Sequence, residues 1–177
     1  MCEINVIYGL NDTKINKNHL IALRKMALSS GKNNQDGFGF FSDRFLIKKN
    51  VCFDEKQPKR MLNRFVDNDF VVSHFRLSTA GGKTLDNTQP IKLDNLILVH
   101  NGHLSGYSTI SLTKSDSYKL ALTIEQEFKQ SHDEIKAIKT GLDSENYYSV
   151  FAYFPATKRL FYVKDSVTDF KFFLVKD

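Results

Sequence analysis

An α+β fold is what this sequence predicts, and three observations carry the prediction. Apolar residues gather in short runs dense in β-branched and aromatic side chains, CEINVIY, DFVVSHFRL, NLILVH, NYYSVFAYF and RLFYVK, which read as strands. Between them lie two stretches with helical spacing: NKNHLIALRKMALSSG, carrying Leu20, Leu23, Ala27 and Leu28, and SDSYKLALTIEQEFKQ, with Leu120, Ile124 and Phe128 four apart. The late strands, finally, are apolar on both faces. Val150, Ala152 and Phe154 alternate with Phe151 and Tyr153, so neither side of their sheet is suited to water, and helices can cover one side and a second sheet the other.

Taken in order, CEINVIY opens the chain as a strand, and the first helix follows until Gly31 is expected to stop it. DGFGFF and RFLIKK flank Ser42 and Asp43 as a hairpin, with Cys52 beyond it expected to be a small core residue. QPKRMLNRFVD reads as a short helix that starts at its proline, because proline fits the first turn, where its missing N–H is not needed. The strands DFVVSHFRL and NLILVH are separated by TAGGKTLDNTQP, a connection long enough to carry function. Thr113 and Asp116 have the spacing of a capping box, with Asp in place of Glu, before the second long helix. HDEIKAIKTG is a weaker helix ending at Gly141, and NYYSVFAYF, RLFYVK and FKFFLVK form a strand meander turned at PATK and DSVTD.

Composition narrows the class. At 177 residues, 41% apolar and 25% charged, the chain is read as one domain spanning 1–177, large enough to bury about two thirds of its unfolded surface without staples. No window holds the 18 or so uninterrupted apolar residues of a membrane span, and Glu3, Asn5 and the run NDTKINKN interrupt any signal-peptide core. The expected setting is the cytoplasm, without a membrane partner, where Cys2 and Cys52 stay reduced. The net charge of +5 concentrates at Lys48, Lys49, Lys56, Lys59, Arg60 and Arg64. No aromatic interleaving or recognised motif accompanies these cations, so they read as a solvated face and not as a nucleic-acid site. His100 and His103 lack a third ligand at suitable spacing, so neither a metal nor a cofactor is expected.

Chemistry-bearing residues concentrate in three places: Cys2 behind the initiator methionine, HFRLSTAGG from His74 to Gly82, and VHNGHL from Val99 to Leu104. In this order they resemble the glutaminase domain of the class II glutamine amidotransferases, which are N-terminal nucleophile hydrolases. NNQDGFG is similar to that family's Arg-Gly-x-Asp-Gly-x-Gly stretch, HFRLST to its His-x-Arg-x-x-Thr strand and NTQP to its Asn-x-x-Pro loop. HNG is present as it stands, and KSDS resembles the Ser/Thr-Asp-Ser/Thr that opens a helix. The resemblance runs from residue 2 to about residue 117. It implies a four-layer αββα sandwich with mostly antiparallel sheets.

The resemblance also implies roles. Once Met1 is removed, Cys2 supplies the thiol nucleophile and, in its α-amine with a pKa of about 8, the base that takes the thiol proton through a water. Asn101 and Gly102 are carried over as the oxyanion hole, where glycine lets the backbone turn toward the substrate. Arg76 clamps the glutamine α-carboxylate with its two-pronged guanidinium, and Thr79 adds a hydroxyl there. Asp116, at a helix N-terminus that favours its charge, holds the α-ammonium. His74 reads as a hydrogen-bonded interior residue, since the α-amine already fills the base role.

Together these imply glutamine as substrate, a thioester on Cys2 and ammonia delivered to an acceptor: either a separate synthase partner takes the ammonia, or the protein is a plain hydrolase that releases it. The chain departs from the pattern at Asn33 and Asn34, where Arg-Gly is usual, at Leu77, where a tryptophan often stacks, and at Ala80, where histidine is common. A γ-glutamyl amide hydrolase of the same fold, and a catalytically silent binding protein, are the alternatives.

Overall fold

A computed structural model of the chain describes residues 2–44, 46–48, 51–78, 81–107, 113–142, 147–168 and 170–171, with the side chains of 46–48 left out. Its eight strands and four α-helices, among the described residues, group into two compact units. Every strand pairing is antiparallel.

The first unit takes in the chain up to Leu77 together with Thr88–Pro90. Its sheet runs β1 (Glu3–Tyr8), β4 (Phe70–Phe75), β2 (Phe38–Ser42), β3 (Leu46–Lys48) in spatial order, so the fourth strand in sequence separates the first from the second. Helices α1 (Lys17–Asn33) and α2 (Lys56–Leu62) lay Leu20, Leu23, Ala27, Met61 and Leu62 on one face of this sheet, against Ile7, Phe38, Phe40, Val71 and Phe75. Phenylalanine fills the layer: Phe38 stacks on Phe75 at 6.0 Å, and Phe53 meets both rings edge-on. Such pairs add a little to the burial that aromatic side chains already supply. Val72, His74 and Phe41 lie on the opposite face and are also buried.

Three expectations change here. Helix α1 does not stop at Gly31 but continues to Asn33, where Asn34 caps it with its backbone and side-chain N–H groups on the Ser30 carbonyl. Gly31 answers to packing instead, since a Cβ there would stand 2.2 Å from the Phe53 ring. Cys52 is exposed, not a core residue, because the chain bends there and Phe53 is the side chain that turns inward. Helix α2 starts at Lys56, two residues before Pro58, which still falls in the first turn where no N–H is demanded of it. Lys56, Lys59, Arg60 and Arg64 are exposed, as a solvated face requires.

The second unit comprises Ser78–Asn87 and Ile91–Thr168. Its sheet is ordered β5 (Ile91–Lys92), β6 (Ile97–Gly102), β7 (Tyr148–Phe154), β8 (Arg159–Lys164), a plain meander apart from the helices inserted before β7. Helices α3 (Asp116–Ser131) and α4 (Glu134–Leu142) cover one face, placing Leu120, Ala121, Ile124, Ala137 and Ile138 against Leu98, Val150, Ala152 and Phe154. Phe151 and Tyr153 are buried on the other face, so both sides of β7 are covered. Gly141 lies within the last turn of α4, where a Cβ would come 2.7 Å from Ile124 of α3, so it permits close helix packing. Asp165 holds the DSVTD turn, accepting from the N–H groups of Tyr148 and Val167 at 2.7 and 2.8 Å, and from Thr168. The run FKFFLVK lies outside the described residues except for Phe170 and Lys171.

Candidate active site

Cys2 precedes β1 directly. The β1–β4 register pairs Glu3 with Phe75 and Ile4 with His74, and continuing it by one step puts Cys2 opposite Arg76. The half-buried sulfur is bracketed by one residue of the β4 side: Leu77 donates its N–H to Sγ at 3.4 Å, and Sγ donates to the Leu77 carbonyl at 3.5 Å. Arg76 is buried and is held by main-chain bonds, its N–H on the Gly37 carbonyl at 2.8 Å and its carbonyl accepting from Asp36 at 2.9 Å. The Asp-Gly of NNQDGFG thus extends the β2–β4 ladder by one rung. Gly37 does so at a φ of 132°, in the region that favours glycine. His74 is fully buried within β4. Leu77 is exposed, and Thr79 and Ala80 lie outside the described residues.

In the second unit HNG closes β6. Gly102 has a φ of 141°, and a Cβ on it would lie 1.8 Å from the Tyr147 carbonyl oxygen and 3.0 Å from His100 Nε2. Only glycine fits. Asn101 carries a buried Oδ1 that no donor faces among the described residues, so this carboxamide is not committed to holding the strand.

Asp116 is the first residue of α3, and the capping box expected from Thr113 and Asp116 is not what forms. Ser115 is the N-cap, its hydroxyl accepting from Tyr118 N at 3.2 Å, because Asp116 sits at the first helical position and not three residues in. The Asp116 carboxylate instead accepts from Ser117 N at 2.8 Å and from Leu104 N at 3.2 Å, which joins the helix start to the segment just after HNG. Each oxygen keeps lone-pair capacity for a further donor.

Two residues to which the sequence reading gives no role in the site, Asn87 and His100, hold this corner. Asn87, fully buried, is the asparagine of NTQP, and its side chain accepts from Ser115 N and donates to the Thr113 carbonyl, both at 2.8 Å. Gly81, at a φ of 73°, leaves so little space that a Cβ would stand 2.4 Å from Ser115 N. His100 is the other: its Nδ1 lies 2.9 Å from Ser117 Oγ with both side chains buried. Burial lowers the His100 pKa to about 4; Asp116 pulls it up and His103 pushes it down further, leaving the ring neutral at physiological pH. Among the described residues no three histidine, cysteine or acidic side chains gather as a metal site would require.

No family model matches the chain. The isomerizing glutamine–fructose-6-phosphate aminotransferase of Helicobacter pylori is 27% identical over 124 residues, which cover 63% of this chain and 20% of that protein. A solved structure described as the allosteric regulatory enzyme of purine biosynthesis superposes with a TM-score of 0.60 at 22% identity, covering 86% of this chain and 35% of the other. Both likenesses are in keeping with the resemblance of this chain to the glutaminase domain of class II glutamine amidotransferases. The structural likeness shows an α+β fold, with the antiparallel sheets and flanking helices described above. The chain spans about a fifth of the curated relative and about a third of the solved chain. Among its described residues, no helix is long and apolar enough to cross a membrane.

Proposed function

We propose that this domain, read as one glutaminase-type unit over residues 1–177, hydrolyses the side-chain amide of glutamine through Cys2. The ammonia released passes to an acceptor on a further domain or on a separate synthase partner, in the cytoplasm. The observation that carries the reading is the register that sets Cys2, at the head of β1, opposite the buried Arg76.

With Met1 removed, the freed α-amine accepts the thiol proton through a water, and Sγ attacks the amide carbon of glutamine. The oxyanion that forms is met by the Asn101 side-chain amide and the Gly102 N–H. Arg76 and Thr79 hold the substrate's α-carboxylate, and Asp116 its α-ammonium. Collapse of the tetrahedral intermediate breaks the C–N bond, the leaving nitrogen takes the proton held by the α-amine, and ammonia departs from a γ-glutamyl thioester. Water then cleaves the thioester, giving glutamate and the free thiol.

The test is glutamate release from glutamine by the wild-type chain and by Cys2→Ala, with the intact mass of each. Release that depends on Cys2, from a chain lacking Met1, is expected. Turnover that persists in Cys2→Ala would keep an enzyme and remove this mechanism. Inert glutamine beside a cleaved γ-glutamyl amide would make the domain a hydrolase of that wider class. Retained Met1 with no turnover on either would favour a silent binding protein.

A further inference from the structure

The proposed chemistry makes two demands of the second unit, and they fall on different elements. Asn101 and Gly102 end β6, whereas Asp116 begins α3. A glutamine held at both ends is productive only if these elements keep their separation to within a fraction of an ångström. One link is the Leu104 N–H on Asp116 Oδ2. The other is the contact between His100 Nδ1 and Ser117 Oγ at 2.9 Å, which is shielded from water. Its partners are the immediate neighbours of the residues that matter, His100 before Asn101 and Ser117 after Asp116. Side chains alternate along a strand, so His100 turns toward α3 while Asn101 turns away from it. The ring also backs the glycine, since its Nε2 stands 3.0 Å from the place a Gly102 Cβ would take.

We propose that His100 is a positioning residue, its bond to Ser117 locking the end of β6 to the first turn of α3 and so fixing Asn101 and Gly102 relative to Asp116. The proposal rests on the reading above, in which Asp116 takes the ammonium and Asn101 with Gly102 the oxyanion. A purely structural histidine would affect every amide substrate alike. A positioning histidine matters most for a substrate that uses both ends. Glutaramate, which is glutamine without its α-amino group, uses the oxyanion donors and Arg76 but has nothing for Asp116.

The experiment compares Ser117→Ala, His100→Gln and His100→Asn in the full chain. An asparagine can put an amide atom where Nδ1 stands and keep the bond to Ser117, whereas a glutamine carries its amide one carbon farther out. Ser117→Ala and His100→Gln are expected to raise KM for glutamine about five- to tenfold, the effect of one hydrogen bond at its usual net strength, and to change kcat/KM for glutaramate by no more than about twofold. His100→Asn is expected to return glutamine KM to within about twofold of wild type. Hydrogen exchange of the Leu104 amide, measured relative to Val99 in the middle of β6, reads the same link without turnover. It should quicken in Ser117→Ala and His100→Gln and not in His100→Asn. Equal losses on both substrates, or a Leu104 amide indifferent to all three changes, would overturn the proposal. A wild-type chain that turns over neither substrate, with Leu104 responding as described, would remove the assignment of the site and leave the lock between β6 and α3 standing.

Discussion

The two units set their candidate residues by different means. In the first, Cys2 and Arg76 are placed by main-chain register: strand ladders fix them, and the sulfur meets the backbone N–H and carbonyl of Leu77. In the second, Asn101, Gly102 and Asp116 stand where side chains and one glycine hold them, through Asn87, His100, Ser117 and the close pass of Tyr147 over Gly102. Register is shared by every residue of a strand and tolerates substitution. A side-chain network does not, because each buried member leaves a partner unsatisfied when it is lost. The first arrangement is therefore robust, and the second can be disturbed at single positions.

The hardest blow to the second arrangement is Gly102→Ala. A methyl group there must displace the Tyr147 carbonyl and adopt a φ that alanine resists, so glutaminase activity should fall on the order of 100-fold or more, as when an oxyanion donor is lost. Gly82→Ala is the control. It too has a positive φ, of 61°, but nothing lies within 4 Å of the added carbon, and about 1 kcal/mol in thermal unfolding with activity retained is expected. Equal activity losses in the two would show that backbone strain, and not the crowded corner, sets the effect.

A smaller effect follows from Asn87→Ala, which strips the helix start of two buried hydrogen bonds. Stability should drop by roughly 2 kcal/mol and KM for glutamine should rise several-fold, through Asp116. Its counterpart in the first unit is Ser73→Ala, which removes a bond of 3.2 Å to the Asn5 carbonyl. Because the β1–β4 ladder remains, KM should stay within about twofold of wild type. A Ser73→Ala enzyme as impaired as Asn87→Ala would erase the distinction between the two units.

The most selective probe, and the one with the least effect on turnover near neutral pH, is acid. His100 has a folded pKa of about 4 against 6.5 when unfolded, so between these values the unfolded chain binds the extra proton. The stability it contributes is complete above pH 6.5 and is lost as pH falls toward 4, by up to roughly 3 kcal/mol. The groups acting on it are Asp116, which softens the shift, and His103, which adds to it. Asp165 falls outside this window. Its own burial is outweighed by hydrogen bonds from Thr168, Val167 and Tyr148, its pKa is lowered to about 2, and its contribution fades only below pH 3.8. Urea midpoints followed from pH 7 to 4 should therefore show a slope that His100→Asn flattens.

What the sequence disclosed follows the same division. Strand runs, the hairpin at Ser42 and Asp43 and the two-sided burial of β7 are all visible locally, because period and turn chemistry act over a few residues. The misreadings concern residues whose reason lies far along the chain. Gly31 has the place of a helix stop, but it is shaped by Phe53, and Cys52 reads as a core residue of a strand-like run, whereas Phe53 takes the inward position. The two-residue strand β5 was too short to announce itself. Asn87 reaches Ser115 across 28 residues and His100 reaches Ser117 across 17, separations at which no periodic pattern pairs them. Thr113 has the spacing of a cap, but the loop held by Asn87 starts the helix later, at Ser115.

The misplaced Cys52 has a practical side. The chain presents two thiols to reagents, one half-buried against the Leu77 main chain and one open to solvent in a bend. A generic alkylating agent that consumes one equivalent per chain therefore says nothing about which sulfur it reached, and titrations of competent protein by thiol counting will overstate it. Replacing Cys52 with serine turns the stoichiometry into a direct count of Cys2. It also lets a glutamine-shaped electrophile be judged on selectivity, not on accessibility.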